Sequence, residues 1–142
     1  MDERILVPFD GSPLSERALD RAVTRHPGAE ITVLYVIDPI LAVYDVEAGG
    51  LPSAKDWLDR MRERADVVLA DAGARADEHD RAVTTAVEVG RPARAILRYV
   101  DDHGIDHVVM GSHGRAGASR LVLGSVAETV IRRSPVPVTV VR

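Results

Sequence analysis

Short apolar runs rich in β-branched residues alternate along this chain with longer segments of helical period, and that alternation leaves few architectures open. Ile5-Leu6-Val7, Ile31 to Ile37 and Val108-Val109-Met110 read as strands buried on both faces. Ala93, Ile96, Leu97 and Val100 follow the spacing of one helix face, with Arg94, Arg98 and Asp101 on the other. Leu58, Met61, Ala65, Val68 and Ala72 recur every three or four residues and predict a long helix from about Ala54 to about Asp77. An earlier helix carries Leu14, Ala18 and Ala22 on one stripe, with Leu19 and Val23 beside it. It stops at His26-Pro27-Gly28. Strand and helix thus alternate four times before a last strand at Val136–Val141. Such alternation builds a parallel sheet with right-handed crossovers and helices on both faces.

The strand order follows from which strands tolerate an open edge. Val83, Thr85, Val87 and Val89 alternate with Thr84, Ala86 and Glu88, the pattern of a half-exposed strand. The last strand contains Pro137, which lacks a ladder donor and belongs at an edge. The first, second and fourth strands are the most apolar and take the centre. The prediction is an α/β fold, an open five-stranded parallel sheet of order 3-2-1-4-5, whose winding reverses between strands one and four.

The 142 residues suit a single domain, 1–142. Lys+Arg 18 against Asp+Glu 22 makes the chain mildly acidic, which removes the electrostatic footprint of a nucleic-acid or anionic-membrane binder. With no cysteine there are no disulfides, no zinc–cysteine sites and no thiol catalysis. No apolar run approaches the ~20 residues of a membrane span. The opening MDERILVPFD lacks the basic start of a signal peptide, so the expected location is cytoplasmic. One connection, Asp38 to about Ser53, is long, and Ile40, Leu41, Val43 and Tyr44 make it more apolar than a solvated linker. It either covers a site or packs on the surface.

Ligands of open parallel sheets bind beyond the carboxyl ends of the strands, where the winding reverses. After strand one comes Pro8-Phe9-Asp10-Gly11-Ser12-Pro13. Ser12 followed by Pro13 is a helix start, a serine cap and then proline in the first turn. Asp10 either accepts from a sugar hydroxyl or caps the turn through backbone amides. After strand four comes Met110-Gly111-Ser112-His113-Gly114-Arg115-Ala116-Gly117, whose glycines let backbone amides approach a ligand. Ser125-Val126-Ala127-Glu128 is a capping-box sequence and predicts a helix starting at Ser125, with Val126, Val130 and Ile131 as its apolar stripe. Such a helix start suits a phosphate. Arg132, Arg133 and Pro135 close the helix.

Other phosphate chemistries are excluded. There is no G-x-x-x-x-G-K-[ST], and Lys55 is the only lysine. The glycine segment follows strand four rather than strand one and is not the dinucleotide fingerprint. No G-x-S-x-G elbow occurs. His26, His79, His103 and His107 show no metal-ligand spacing and are read as structural or solvated. His113 lies in the glycine loop, where it either contacts phosphate or is solvated.

The C-terminal third resembles the nucleotide-binding signature of the universal stress protein family. Two residues separate Gly111 from Gly114, nine separate Gly114 from Gly124, and Ser125 follows. The opening ILVPFDGSPLSERAL and the ending SPVPVTVVR resemble that family's first strand and turn and its last strand. The resemblance implies a Rossmann-like, ATP-binding α/β fold, usually a homodimer, with magnesium admissible through the phosphates. It matches Asp10 to the residue facing the ribose, with Pro8 and Phe9 beside the base, and Val36 and Ile37 to the backbone that reads adenine. Met110, Gly111 and Gly114 match the nucleotide loop. Gly124, Ser125 and Val126 match the phosphate-holding helix start. His113 and Arg115 lie where the motif fixes no contact and are kept as candidates.

The last strand carries Val136, Val138 and Val140 on one face and Pro137, Thr139 and Val141 on the other, an apolar edge that pairing with a second copy would cover. The leading functional expectation is a nucleotide-dependent stress-response or signalling module. The alternatives are a slow ATP hydrolase or nucleotide transferase, and a partner-binding scaffold with incidental nucleotide.

Overall fold

A computed structural model describes residues 2–47, 49, 53–114 and 123–142. The chain runs β1 (Arg4–Pro8), α1 (Pro13–Arg25), β2 (Glu30–Ile37), α2 (Ile40–Glu47), α3 (Ala54–Asp77), β3 (Thr84–Val89), α4 (Pro92–Asp102), β4 (His107–Gly111), α5 (Ser125–Arg133) and β5 (Val138–Val141). The five strands form one parallel sheet of order β3-β2-β1-β4-β5, as predicted.

Alternating strand residues feed two cores. Ile5, Val7, Ile31, Val33 and Val109 point to one face, where α1 and α3 cover them through Ala18, Leu19, Ala22, Val68, Leu69 and Ala72. Leu6, Leu34, Val108 and Met110 point to the other, under Ile96, Tyr99 and Val100 of α4 and Ala127 and Val130 of α5. Ile5, Leu6 and Val7 are all fully buried, as befits the central strand of a sheet covered on both faces.

Helix boundaries follow local chemistry. The Ser12 hydroxyl accepts from the Ser15 amide at the start of α1, and Pro13 follows it. At the other end His26 caps the helix and Gly28 takes φ +83°, a left-handed turn open to glycine. Ser53 caps α3 by accepting from the Asp56 amide at 3.1 Å.

Four expectations need correction. The Asp38–Ser53 connection contains a helix, α2, which begins as the Asp38 carboxylate accepts from the Ile40 amide at 3.1 Å. Ile40 to Tyr44 is an unbroken apolar run in the sequence, and no helical period could be read from it. β5 begins at Val138 rather than Val136, because Ser134 and Val136 close a local turn: the Ser134 hydroxyl donates to the Val136 carbonyl at 2.7 Å. Pro137 still accepts from the Val108 amide at 3.0 Å. Ile131 is exposed, and Ala127 takes its expected place in the α5 core stripe. The capping box does not form. Gly124 is the extended cap residue, Ser125 opens the first turn, and Glu128 instead pairs with Arg132 at 2.8 Å.

Candidate functional site

β1 and β4 are parallel neighbours whose chains leave the sheet toward opposite faces, β1 into α1 and β4 toward α5. The backbones diverge there and leave a cleft of about 600 Å³ beyond their carboxyl ends. That volume falls in the usual range of small-ligand sites, ~300–1,000 Å³. Pro8, Phe9 and Asp10 from the end of β1 line it, with Val36 from β2, Met110, Gly111, His113 and Gly114 from the end of β4, and Gly124, Ser125 and Val126 at the start of α5.

The signature glycines earn their positions sterically. None of Gly111, Gly114 and Gly124 has a positive φ. A β-carbon on Gly111 would sit 2.8 Å from the Leu14 β-carbon and 3.1 Å from its carbonyl carbon, so this glycine lets β4 close against α1. A β-carbon on Gly114 would run into the Asp10 carboxylate. On Gly124 it would lie 2.8 Å from the Ser112 carbonyl oxygen and 2.9 Å from the His113 β-carbon. In its place the Gly124 amide donates to that carbonyl at 2.8 Å, joining the start of α5 to the end of β4.

This contact makes Gly124 the cap residue and leaves α5 without a side-chain cap, whereas Ser12 caps α1 and Ser53 caps α3. The first amides of a helix have no intrahelical acceptor. In α5 they belong to Ser125, Val126 and Ala127, all of which border the cleft. With the positive end of the helix dipole, they make the α5 start suited to an anion.

Asp10 performs the turn-capping role foreseen as one of its two readings: its Oδ1 accepts from the Ser12 amide at 2.9 Å. It is half-buried and borders the cleft beside Gly114, so that hydrogen bond also aims the side chain. Phe9 is only 4% exposed and packs in the α1/α3 core, while its amide donates to the Leu34 carbonyl at 2.8 Å. Ile37 does not border the cleft. It is 3% exposed, and its carbonyl accepts from the Gly90 amide at 2.9 Å. Arg115 lies outside the described residues.

His113 has a neighbour that the sequence reading did not anticipate. Its Nδ1 lies 3.2 Å from the Ser112 hydroxyl. Ser112 is buried, held by the Val141 carbonyl through its amide, and does not border the cleft.

Sequence reasoning missed the far wall: Asp38, Leu41 of α2, Pro92 and Ile96 of α4, and Leu123. Asp38 accepts from the Ile40 amide and stands 3.7 Å from Arg91 across the rim. Its signal was available, a carboxylate at the end of a buried strand. Leu41 is 52% exposed while bordering the cleft, an apolar side chain held at its mouth.

The remaining histidines have local partners. His103 stacks on Tyr99 at 3.7 Å, and His79 stands 3.6 Å from Asp20. His26 and His107 meet edge to face, with ring centroids 5.2 Å apart, although 81 positions separate them in the chain.

The chain is similar to known proteins along its whole length. The model of the universal stress protein family matches residues 1–142. A universal stress protein of Methanocaldococcus jannaschii is 32% identical, over 99% of this chain and 82% of its own. The solved structure of a second universal stress protein from that organism superposes with a TM-score of 0.84 at 29% identity, covering 99% of this chain and 96% of that one. A universal stress protein solved in complex with cAMP gives a TM-score of 0.67 at 25% identity, covering 99% and 96%. The sheet order, the glycine-closed loop and the full-length match agree: this chain belongs to the universal stress protein family.

Proposed function

We propose that this protein is a nucleotide-dependent stress-response or signalling module that holds ATP in the cleft between the ends of β1 and β4. The observation that carries the reading is the α5 start, whose first-turn amides no side chain among the described residues caps and whose position Gly124 fixes against the Ser112 carbonyl. In this reading Gly124, Ser125 and Val126 hold the phosphates, Gly111 and Gly114 form the nucleotide loop, and magnesium is admissible through the phosphates. Asp10 takes the ribose, since a carboxylate beside the triphosphate would repel it. Pro8, Val36 and Met110 flank the base together with Leu34 and Ile96 on the apolar floor. The cAMP-bound relative supports an adenine nucleotide as the ligand class.

Binding is favoured over turnover. Among the described residues bordering the cleft, the carboxylate and imidazole side chains are Asp10, Asp38 and His113. Asp10 is engaged by the Ser12 amide and Asp38 by the Ile40 amide, while His113 meets a serine that is buried. Among the described residues no nucleophile and base converge on open space, as group transfer requires. Occupancy is therefore the signal, and a homodimer paired through β5 would present it to partners.

Mass spectrometry of the ligand released from freshly purified, heat-denatured protein tests this, followed by calorimetry with ATP, ADP, AMP and cAMP. ATP is expected. Protein that purifies empty and gives no heat with any adenine nucleotide overturns the reading. Released ADP with sustained phosphate production replaces the module with a hydrolase.

A further inference from the structure

The opposite end of the sheet carries a second constellation. Glu3 immediately precedes β1, His26 caps the C-terminus of α1, and His107 is the first residue of β4. The parallel register of β1 and β4 pairs Ile5 with His107, which brings the β4 start close to Glu3. One ring nitrogen from each imidazole and one Glu3 oxygen all lie within 4.8 Å of one another. We propose that Glu3, His26 and His107 form a binding site for a divalent transition metal of the zinc class, separate from the nucleotide cleft.

The donor set is the first argument. Two imidazoles and a carboxylate are ligands that zinc takes readily, and three protein ligands leave a position for water or a fourth donor. Tetrahedral zinc with ligand distances of ~2.1 Å needs its donors ~3.4 Å apart. His26 Nδ1 and Glu3 Oε1 are already 2.9 Å apart, so small side-chain rotations bring the three donors to that spacing.

The supporting framework is the second argument. His107 Nε2 is 2.8 Å from the Thr139 hydroxyl, which leaves Nδ1 for a metal. An outer partner of this kind fixes the tautomer and orientation of a ligating imidazole. Arg81 pins the His26 turn by donating to the carbonyls of Val23, His26 and Ala29 at 2.7, 3.2 and 2.8 Å. The Glu3 carbonyl accepts from the Glu30 amide at 2.8 Å. All three ligands thus hang from fixed backbone at the rim of the sheet, with Glu3 exposed and both histidines half-buried, so an ion can enter.

Glu3 and His26 already form one pair, and His107, seated by Thr139 and edge to face with His26, brings the third donor.

The test uses the full-length chain without a histidine tag and without nucleotide. Zinc titrated calorimetrically is expected to bind one ion per chain, and cobalt(II) to give visible d–d absorption. Glu3→Gln and His26→Gln alter rim residues and should each weaken zinc at least ~10-fold. His79→Gln should leave zinc binding unchanged. Zinc should also shift the imidazole resonances of both His26 and His107 in the wild type, a readout that needs no variant. The proposal is overturned if no ion binds at 100 ~µM zinc, if either rim variant retains wild-type affinity, or if the shifted imidazoles are others.

Discussion

Replacing Gly124 by alanine adds one methyl group at the point where α5 meets the end of β4. That methyl would lie 2.8 Å from the Ser112 carbonyl oxygen and 2.9 Å from the His113 β-carbon, with the His113 α-carbon at 3.2 Å. Two of these neighbours are backbone, so the start of α5 must move rather than a side chain rotate. The hydrogen bond from the Gly124 amide to Ser112, 2.8 Å long, stretches with it. Overpacking of this kind costs about 1–3 kcal/mol of stability. The binding loss has a different origin. A hydrogen bond to a charged group contributes about 1.5–3 kcal/mol, and each 1.4 kcal/mol is a factor of ten, so misaligning a single phosphate-facing amide should weaken ATP about 10- to 100-fold. The control is Gly28→Ala. Gly28 has φ +83° and no heavy atom within 4 Å of a built β-carbon, so alanine there meets backbone strain alone. It should cost about 1–2 kcal/mol and leave ATP affinity unchanged. Thermal melts give the stabilities and calorimetry the affinities. A folded Gly124→Ala protein that binds ATP within twofold of wild type would refute the account of the phosphate site.

Gly73→Ala should act in the opposite direction. Gly73 lies within α3 with open space around it, so alanine should raise stability by about 0.5–1 kcal/mol, and a lowered melting temperature would contradict the open-space reading. Asp10→Ala removes both the acceptor for the Ser12 amide and the proposed ribose contact. It should cost about 1 kcal/mol of stability, weaken ATP and adenosine alike and spare inorganic triphosphate, and a loss confined to triphosphate would reverse the assignment. Val140→Lys tests the β5 dimer more cleanly than a change at Val138, which packs against the α4/α5 core. Sedimentation should show the wild type near twice 15.4 kDa and the variant near that mass, and a wild type monomeric at tens of micromolar would remove the dimer.

What was legible in the sequence was what depends on burial. Strand order could be read because Leu6 and Val108 tolerate no exposure, while Thr84, Thr85 and Pro137 tolerate an edge. The bounds of α3 could be read because a serine cap opens it and a sustained apolar period runs through it. Its Trp57 anchor, 2% exposed, stands four residues before Met61 on the same stripe and was passed over. What failed depends on contacts between distant segments. Ser125-x-x-Glu128 has the letters of a capping box. Yet the Gly124 amide bound to Ser112 makes Gly124 the extended cap residue, and Ser125, the cap that the letters predict, is instead the first helical residue.

The glycines teach the same lesson more sharply. Glycine suggests left-handed backbone, and Gly11, Gly28, Gly49 and Gly104 have it, each with a positive φ. The signature glycines do not. Gly111 and Gly124 are required because another backbone passes within 3.3 Å of where a side chain would begin, and Gly114 because the Asp10 carboxylate does. Spacing along the chain records such a requirement without revealing its partner. The Glu3, His26 and His107 cluster follows the same logic at the other end of the sheet, where no local spacing marks it at all. The adjacency of β1 and β4 brings Glu3 and His107 together, and the end of α1 adds His26. That adjacency separates the chain exits at the carboxyl ends of the two strands, which opens the cleft, and draws Glu3 and His107 together at the amino ends. A change that displaced β4 relative to β1 would therefore disturb both places at once.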